Sequence, residues 1–221
     1  VSEFSGKIES YKNAKVIFSD RNLGFGGGNN LGAKSAAGDI LWFLNSDTLI
    51  PDSKINNIFT FLKANEKIGI TSPVLYNDKT MTKEQPDYYA DFQNLKSLLF
   101  RSVKPTPKIV NNEYFLVDLA VGASLIIKRT VFDQIGGFDE NIFLFFEDDD
   151  LCYRAKKAGF LTAIYLKSHV IHLQGQSIGA NRERKKFYFI SQNYFWRKHY
   201  GILAASLMRV LRFPYRLIKG Y

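Results

Sequence analysis

The sequence predicts an α/β fold in which helices flank a mostly parallel β-sheet, followed by a helical tail at the C-terminus. Short apolar runs of strand length, such as Ile40–Leu44 and Thr162–Leu166, alternate with segments whose apolar residues recur at helical spacing. Polar or glycine-rich segments follow the first strands, at the sheet edge where α/β proteins bind ligands. The 221 residues, 46% of them hydrophobic, suffice for one sizeable domain.

Strands and helices alternate in the first third of the chain. The expected elements are a strand at Lys15–Ser19, a glycine-rich loop over Gly24–Asn30, a short helix to Ala37, a strand at Ile40–Leu44, a helix that begins after Pro51 and a strand at Ile68–Leu75. This alternation is typical of strand–helix–strand units, which favour parallel pairing.

The rest of the chain is less regular. Residues 77–113 have few apolar positions in register and indicate a variable loop region. The expected elements are a short helix at Leu95–Arg101, a strand over Val117–Lys128, helices over Arg129–Ile135 and Glu147–Ala158, a strand at Thr162–Leu166, and helix through the last 35 residues with a kink at Pro214.

Composition excludes several classes of protein. The 23% of charged and 15% of aromatic residues are typical of a globular domain and exclude disordered or collagen-like chains. The single cysteine, Cys152, cannot form an internal disulfide, and no zinc-binding spacing occurs, which favours a reducing compartment. The sequence has no secretory signal and no uncharged apolar run of the ~18 residues that a membrane span needs.

The net charge of +9 is concentrated at the C-terminal end. Residues 1–180 contain 20 Lys and Arg against 20 Asp and Glu, whereas residues 181–221 contain 10 Lys and Arg against the single acid Glu183. An anionic partner is therefore expected to bind there.

Residues 22–32 combine glycines and asparagines between a predicted strand and a predicted helix. Glycines permit positive φ and close approach of the backbone to a ligand, and N–H groups at a helix N-terminus suit a phosphate. The spacing matches neither the dinucleotide-binding motif nor the P-loop. A ligand loop and a plain tight turn fit the glycines equally well.

Two acidic segments are candidates for chemistry. Asp47, two residues after Asn45 at a strand end, can hold a divalent cation, but this segment by itself favours an Asx cap for the next helix. The four acids of Glu147–Asp150 follow an apolar run. The helix dipole accounts for one or two of them. A pocket that raises the pKa of one carboxyl group and makes it a general base accounts for the set.

The segments resemble, in this order, the family-2 glycosyltransferases, inverting enzymes of the GT-A type with a Rossmann-like fold, and in particular the bacterial rhamnosyltransferase branch. The resemblance spans roughly residues 15–200. The matching segments are Asn22–Gly32, Leu44–Thr48, Val121–Arg129, Gly136–Glu140, Glu147–Arg154 and His172–Ser177.

The resemblance implies roles for individual residues. Asp47 and His172 would bind Mg or Mn, and Asp148, with Glu147 beside it, would be the catalytic base that deprotonates the acceptor. The donor diphosphate would be bound by Asn22, Gly24, Gly26, Asn29, Asn45 and Asp47, and the acceptor side would be shaped by Gly122, Ala123, Gly137 and Asp150.

Family members carry a strand–helix–strand unit ahead of the glycine-rich segment, and residues 1–14 do not match it. We therefore expect a fragment that lacks roughly 40 residues of nucleotide-binding structure, about one such unit. Because buried strands would be missing, we also expect this fragment to be poorly soluble or inactive by itself.

The C-terminal segment predicts a membrane-binding helix. Arg209, Arg212, Arg216 and Lys219 are spaced to share one helical face beside a broad apolar one, which suits an anionic lipid surface. A helix packed on the core with solvated arginines is the alternative. We divide the chain into a glycosyltransferase domain at 1–198 and a basic amphipathic tail at 199–221.

The predicted function is transfer of a sugar, with rhamnose favoured, from a nucleotide-sugar donor to a saccharide or lipid-linked saccharide, with inversion. The setting would be cell-surface polysaccharide synthesis, on the cytoplasmic face of the plasma membrane. Two alternatives stay open: a non-catalytic domain that binds sugar nucleotides, and a basic nucleic-acid-binding domain. No recognised motif supports the second, so no nucleic-acid partner is expected.

Overall fold

The computed structural model describes residues 13–51, 53–85, 87–94, 108–109, 111–173 and 181–218. Within these ranges the chain forms nine strands and five α-helices. The strands are β1 (Ile40–Leu44), β2 (Thr48–Leu49), β3 (Ile68–Tyr76), β4 (Tyr89–Ala90), β5 (Lys108–Ile109), β6 (Tyr114–Val117), β7 (Leu119–Ala120), β8 (Ser124–Lys128) and β9 (Leu161–His172). The helices are α1 (Gly24–Ser35), α2 (Asn56–Ala64), α3 (Arg129–Gln134), α4 (Glu147–Lys157) and α5 (Asn181–Ile218).

A seven-stranded sheet forms the centre of this α/β fold, which confirms the predicted fold class. Its order is β1–β8–β3–β9–β6–β5, and β2 pairs with the C-terminal end of β9. The longest pair, β3 with β9, is parallel, and the other pairs of this sheet are antiparallel. Three of the long strands, β1, β3 and β9, still run in one direction, because β8 lies antiparallel between β1 and β3.

The described sheet is therefore mixed. The predicted parallel direction holds for β1, β3, β5 and β9, whereas β2, β6 and β8 run in reverse. The prediction assumed that helices connect neighbouring strands, as parallel pairing requires. In the structure β6 and β8 each follow another short strand, so no crossover helix among the described residues constrains their direction.

Side chains on β8 alternate between the two faces of the sheet. Ile126 joins the cluster under α2 that contains Ile58 and Leu62, whereas Leu125 and Ile127 join the cluster under α1, α3 and α4. This alternation is the period of two that a strand buried on both faces requires. The sheet is thus the middle layer of three.

Several elements differ from the prediction. Lys15–Ser19 forms no strand, since no described strand lies beside it. The segment expected to be a loop over Gly24–Asn30 is the first part of α1. The strand expected over Val117–Lys128 is divided into β6, β7 and β8. The division begins at Asp118, whose carboxylate accepts hydrogen bonds from the Phe92 N–H and from Lys156. The helix expected at Leu95–Arg101 lies outside the described residues.

Helix α5 is interrupted at Gly201, where φ is 86° and ψ is 172°. Arg212 Nη1 lies 2.5 Å from Gln192 Oε1, although an unbroken helix would separate residues twenty positions apart by about 30 Å. The two halves therefore fold back on each other. The kink that we expected at Pro214 occurs at Gly201 instead, and the helix continues through position 214.

The fold-back of α5 forms a third hydrophobic cluster. Met208 and Ala205 from the second half pack with Phe195 and Trp196 from the first half, and with Phe146, which directly precedes α4. The C-terminal helix is thereby packed against the segment that carries the acidic residues.

Candidate active site

A cavity of about 770 Å³ lies between the carboxyl end of β1 and the N-terminal end of α4. Asp47 and Asp148, the two carboxylates on which the predicted chemistry depends, share this cavity. The predicted site residues in its wall are Asn29, Asn45, Asp47, Gly122, Ala123, Glu147, Asp148 and His172.

The pairing of β2 with β9 brings Asp47 and His172 together. Thr48 lies opposite His172 in register, and the Leu173 N–H donates to the Asp47 carbonyl at 2.9 Å. His172 Nε2 lies 3.4 Å from Asp47 Oδ1. On the other side of the imidazole, Nδ1 lies 2.8 Å from the buried Gln85 Oε1. Because that oxygen can only accept, Nδ1 carries the hydrogen and Nε2 of the neutral ring has a lone pair.

This pair fits a divalent cation. In this neutral tautomer neither Nε2 nor the carboxylate can donate a hydrogen bond, so a cation between them would satisfy both groups, whereas a protonated ring would donate to Asp47 directly. Ligand distances near 2.1 Å place neighbouring ligands of one ion about 3–3.4 Å apart, which matches the Asp47–His172 separation. No group of three or more His, Cys, Asp or Glu side chains in the described ranges is arranged for a metal. Substrate phosphates and water would supply further ligands, as is usual for Mg²⁺.

Backbone N–H groups hold the Asp148 carboxylate at the start of α4. Oδ2 accepts the Gly122 N–H at 2.9 Å, and Oδ1 accepts the Asp149 N–H at 3.0 Å. A Cβ atom at position 122 would lie 3.2 Å from the Phe25 ring and 3.7 Å from Asp148 Oδ2, so glycine permits this close approach. Since each carboxylate oxygen has two lone pairs, Asp148 can still accept a proton from a molecule in the cavity.

The carboxyl groups on either side of Asp148 are unusual acids. Burial, and then the neighbouring Asp148 charge, raise the pKa of Glu147 to about 8. The same two causes raise the pKa of Asp149 well above its ordinary value. Glu147 Oε2 is buried and has no hydrogen-bond partner among the described residues. Buried acids with raised pKa values are typical of functional sites, although packing alone can also produce them.

The chain enters α4 through two strained residues. Phe145 and Phe146 have φ of 65° and 67°, in the left-handed region, which costs a non-glycine residue about 1–2 kcal/mol. The Phe146 ring packs between Tyr188 and Phe195 of α5, and this packing stabilises the strained turn. Strain of this kind persists mainly where surrounding structure fixes the backbone, often beside a site.

Three predicted donor-binding residues lie outside the main cavity. Asn22 Oδ1 accepts the Gly24 N–H at 3.0 Å, and both residues line a separate cavity of about 390 Å³. A Cβ at Gly24 would lie 2.3 Å from the Phe143 carbonyl oxygen, and one at Gly26 would lie 2.9 Å from the Phe138 Cβ. Packing of α1 on the segment before α4 therefore accounts for these two glycines, which we had assigned to ligand binding.

Gly137 also lies away from the main cavity. Its φ is +70°, and a Cβ there would lie 2.8 Å from Asn30 Oδ1. The Asn30 side chain accepts the Phe138 N–H and donates to the Phe138 carbonyl, both at 2.9 Å. Gly137 thus belongs to a tight turn that is fastened to α1, and its position provides no contact with an acceptor in the cavity.

Asp150 is fully buried and links α4 to α5. Its carboxylate lies 2.7 Å from His199 Nε2, 2.6 Å from Lys198 Nζ and 2.7 Å from Arg154 Nε. Burial alone would raise the pKa of Asp150, but the hydrogen bond from His199 and the charges of Arg154 and Lys198 lower it below the ordinary value. The position of Asp150 therefore indicates a role in helix packing, although we had assigned the residue to the acceptor side.

The structure adds residues that the sequence did not reveal. Gln85 holds His172, while Gln93, Tyr188 and Asp149 line the cavity. Gln85 and Gln93 lie in the region interpreted as a variable loop, and Tyr188 lies between two phenylalanines on a helix. A single glutamine or tyrosine in such surroundings has no distinguishing spacing, whereas Asp149 could have been selected from the acidic run.

A family model described as Glycosyl transferase family 2 matches residues 2–136, and the chain therefore belongs to this family. This confirms the resemblance on which the residue roles were based. In the described part of the chain, no helix combines the length and hydropathy that crossing a bilayer requires.

Three curated relatives are similar to the chain. The low-salt glycan biosynthesis hexosyltransferase Agl10 of Haloferax volcanii is 29% identical over 154 residues, which are 67% of this chain and 48% of that protein. The N-acetylglucosaminyl-diphospho-decaprenol L-rhamnosyltransferase of Mycobacterium tuberculosis is 28% identical over 45% of this chain and 39% of its own length. Rhamnosyltransferase WbbL of Escherichia coli is 26% identical over 67% of this chain and 60% of that protein. The chain thus spans less than two thirds of each relative.

Solved structures share the fold at low identity. GalNAc-T7, crystallised with UDP, GalNAc and Mn²⁺, has a TM-score of 0.59 and 16% identity, covering 95% of this chain and 45% of that one. The mannosyltransferase PcManGT of Pyrobaculum calidifontis, in complex with GDP-Man and Mn²⁺, has a TM-score of 0.55 and 13% identity. The match covers 88% of this chain and 48% of that one.

Proposed function

We propose that the chain carries the catalytic centre of an inverting, metal-assisted glycosyltransferase that moves a sugar from a nucleotide donor to a saccharide or lipid-linked saccharide. The main support is that one cavity contains both the Asp47–His172 pair and the Asp148 carboxylate. A cation-binding pair for a diphosphate and a base for an acceptor hydroxyl are the two functions that direct sugar transfer needs.

Asp47 and His172 form the donor end of the proposed site. They would hold Mg²⁺ or Mn²⁺, which neutralises the charge of the departing nucleoside diphosphate. Gln85 fixes the His172 ring through its hydrogen bond to Nδ1, a contact that commonly orients a metal-binding histidine. Asn29 and Asn45 lie in the same wall and offer amide groups to the donor.

Asp148 is the proposed base. Its carboxylate takes the proton of the acceptor hydroxyl as that oxygen bonds to the anomeric carbon, while the bond from this carbon to the diphosphate oxygen breaks. The new bond forms opposite the breaking bond in this single displacement, so the anomeric configuration is inverted. Because a pKa of about 8 keeps Glu147 largely protonated near neutral pH, the cluster repels the anionic donor less.

The relatives guide the choice of substrates. Two of them are rhamnosyltransferases, and the name of one specifies an N-acetylglucosaminyl-diphospho-decaprenol acceptor. We therefore propose a rhamnosyl donor and a lipid-linked diphospho-sugar acceptor, in the synthesis of a cell-surface polysaccharide.

An enzyme with a lipid-linked acceptor must bind at a membrane surface. The second half of α5 has a face that suits such binding. Its outward face carries Leu203, Leu207 and Val210, which are 84%, 45% and 67% exposed, with the exposed Arg209 beside them. Arg212, which we had expected on the same basic face, instead contacts Gln192 and Asn193. We propose that this apolar face rests on anionic lipid at the cytoplasmic side of the plasma membrane.

The function is tested by donor turnover. Because we expect residues 1–221 alone to be poorly soluble or inactive, the protein is purified with any residues that its gene encodes ahead of Val1. It is incubated with dTDP-rhamnose, UDP-sugars and GDP-mannose, with Mn²⁺ or Mg²⁺, and release of nucleoside diphosphate is measured with and without an N-acetylglucosaminyl-diphospho-lipid. We expect turnover with at least one donor, its loss on chelation, and a decrease of about 10²–10⁴ in rate for Asp148→Asn, because a general base is removed.

Asp133→Asn is the matched control, since this aspartate is exposed on α3 and its removal should leave the rate unchanged. Donor affinity should persist in Asp148→Asn. Donor binding by the wild-type chain without turnover would favour a non-catalytic sugar-nucleotide-binding domain, and turnover unaffected by Asp148→Asn would contradict the proposed base.

A further inference from the structure

A chain of hydrogen bonds connects the second half of α5 to the cavity wall. Arg212 Nη1 donates to Gln192 Oε1 at 2.5 Å, and Gln192 Nε2 donates to Gln93 Oε1 at 2.7 Å. Gln93 Nε2 then lies 3.2 Å from the Tyr188 hydroxyl. Gln93 and Tyr188 both line the main cavity, whereas Gln192 is almost fully buried.

Arg212 fixes which group donates and which accepts in each of these hydrogen bonds. A guanidinium group can only donate, so it requires the oxygen of the Gln192 amide on its own side. The nitrogen of the Gln192 amide then points to Gln93 and donates to the Gln93 side-chain oxygen. The nitrogen of the Gln93 amide is therefore on the opposite side, next to the Tyr188 hydroxyl. Each amide would otherwise be free to rotate by 180° and exchange its donor for its acceptor. The cavity is thereby presented with an amide donor at Gln93.

Further contacts hold both ends of the chain. The Arg212 guanidinium lies 4.5 Å from the centre of the Phe189 ring and donates to Asn193 Oδ1 at 3.0 Å. At the other end, the Tyr200 hydroxyl donates to the Gln93 backbone carbonyl at 3.0 Å. The side chain and the backbone of Gln93 are therefore both fixed by α5.

The position of Tyr188 places this wall next to the acids. Its ring lies 5.2 Å from the ring of Phe146, the residue directly before Glu147 and Asp148. The acceptor must reach Asp148 in the proposed reaction, so side chains beside this end of the cavity are in position to contact the acceptor.

We propose that Gln93 and Tyr188 bind the acceptor saccharide, and that Gln192 and Arg212 are positioning residues that keep the Gln93 amide in one orientation. This assignment rests on the proposed glycosyltransferase function and adds the acceptor-recognising wall to it. The amide nitrogen and the tyrosine hydroxyl match the hydroxyl groups of a sugar, and the aromatic rings of Phe145 and Tyr188 match its apolar face.

The test is the isosteric substitution Gln192→Glu. The new carboxylate keeps the contact with Arg212 and strengthens it by charge, so the packing of α5 is retained. It has no hydrogen to donate to Gln93 Oε1, and the Gln93 amide must rotate and present its oxygen to the cavity.

With dTDP-rhamnose as donor and an N-acetylglucosaminyl-diphospho-lipid as acceptor, we expect the acceptor KM to rise roughly tenfold, the effect of one lost hydrogen bond. The donor KM and the slow hydrolysis of donor without acceptor should stay within about twofold of wild type.

Asn193→Asp is the matched control. It makes the same amide-to-acid change one residue along and also contacts Arg212, but it has no bond to Gln93. Its acceptor KM should equal that of wild type. A second variant, Gln93→Ala, should raise the acceptor KM without Gln192 being altered, which excludes an indirect effect of helix stability.

The outcomes separate the two proposals. A wild-type protein that is expressed with any residues encoded ahead of Val1 and still turns over no nucleotide sugar overturns the proposed function, and the acceptor assignment with it. A wild-type chain that transfers sugar while Gln192→Glu and Gln93→Ala leave the acceptor KM unchanged, or raise donor and acceptor KM equally, overturns the acceptor assignment alone.

Discussion

Glu147 occupies a position where a charged carboxylate is unfavourable. It is 7% exposed, lies next to Asp148, and one of its oxygens has no hydrogen-bond partner among the described residues. A raised pKa means that the folded protein retains a proton over a pH range in which the unfolded chain has released it. The contribution of Glu147 to folding stability is therefore greatest at low pH. This contribution is lost as the pH rises from the ordinary carboxyl range through about 8.

Glu147→Gln should remove this dependence, because glutamine is neutral at every pH in the range. We expect the variant and the wild type to differ little at pH 4, and the variant to be more stable by about 1–3 kcal/mol at pH 8, the cost of an unsatisfied buried acid. Urea unfolding at several pH values measures the difference. Glu66→Gln, on the exposed surface, is the control and should show no such trend. A stability difference that is independent of pH would contradict the raised pKa.

At this scale the sequence selected three residues that share one cavity, but it could not place every acid of the same motif. Asp47, Asp148 and His172 were selected because an acid at a strand end, an acid at a helix start and a histidine after a strand match the family motifs. Asp150 matched the same motif, yet Arg154 of α4 and Lys198 and His199 of α5 hold its carboxylate in the interior. A run of four acids contains no information on which of them face inward, because this depends on helices that are distant in sequence.

Among the elements, α5 depends most on a single residue. Gly201 has φ of 86°, a conformation that side chains rarely adopt, and nothing lies within 4 Å of the position of a Cβ. Glycine is therefore needed at the bend for its backbone conformation, and not because a larger side chain would clash. Gly32 in α1 also has nothing within 4 Å, but its φ is not in the positive range, so the two glycines differ in backbone conformation alone.

Alanine at these two positions should have opposite effects. Gly201→Ala should destabilise the protein by about 1–2 kcal/mol through the left-handed conformation. Gly32→Ala should stabilise it by up to about 1 kcal/mol, since alanine favours a helix more than glycine does. Thermal unfolding should show shifts of opposite sign, about 2–4 °C for each kcal/mol in a chain of this size. Shifts of the same sign would show that the bend of α5 does not depend on Gly201.

The pattern predicted helix in the last 35 residues correctly and located its break incorrectly. Proline is the more obvious helix breaker, so Pro214 was selected, whereas an isolated glycine within a helical pattern is often tolerated. What decides between them is the cluster of Met208, Ala205, Phe195 and Trp196, which only the folded-back arrangement forms. The same limit applies to β6 and β8, whose direction depends on a sheet partner far along the chain.

For the whole molecule, the separation of charge and apolar surface predicts where it meets a membrane. Residues 181–221 have ten basic residues and one acid, and the second half of α5 exposes apolar side chains on the face opposite Met208. Burying these side chains in lipid and placing Arg209 near anionic headgroups are both favourable. The sequence indicated this partner through a basic stripe. Of its four residues, Arg209 is exposed beside the apolar face and Arg212 packs inward, while the side chains of Arg216 and Lys219 lie outside the described part of the chain.

The triple substitution Leu203→Ser, Leu207→Ser and Val210→Ser should weaken binding to vesicles that contain anionic lipid by at least about tenfold, because three apolar side chains no longer leave water. Vesicle flotation measures the bound fraction. Binding of the wild type should fall in high salt and with neutral vesicles. Phe18→Ser combined with Ile50→Ser, which removes exposed apolar groups elsewhere, should bind as wild type does. Equal binding by the triple variant would exclude this face as the membrane surface.

The bend at Gly201 means that one short helical segment has two surfaces with separate uses. Its outer surface is free for lipid, while its inner surface carries Met208 and Arg212, on which the hydrophobic cluster and the orientation of Gln93 depend. Under the roles that we propose, trimming the protein before residue 202 to improve its yield would alter sugar recognition as well as membrane affinity. Loss of activity in such a shortened protein would then report a damaged cavity wall, and could easily be mistaken for a need for lipid.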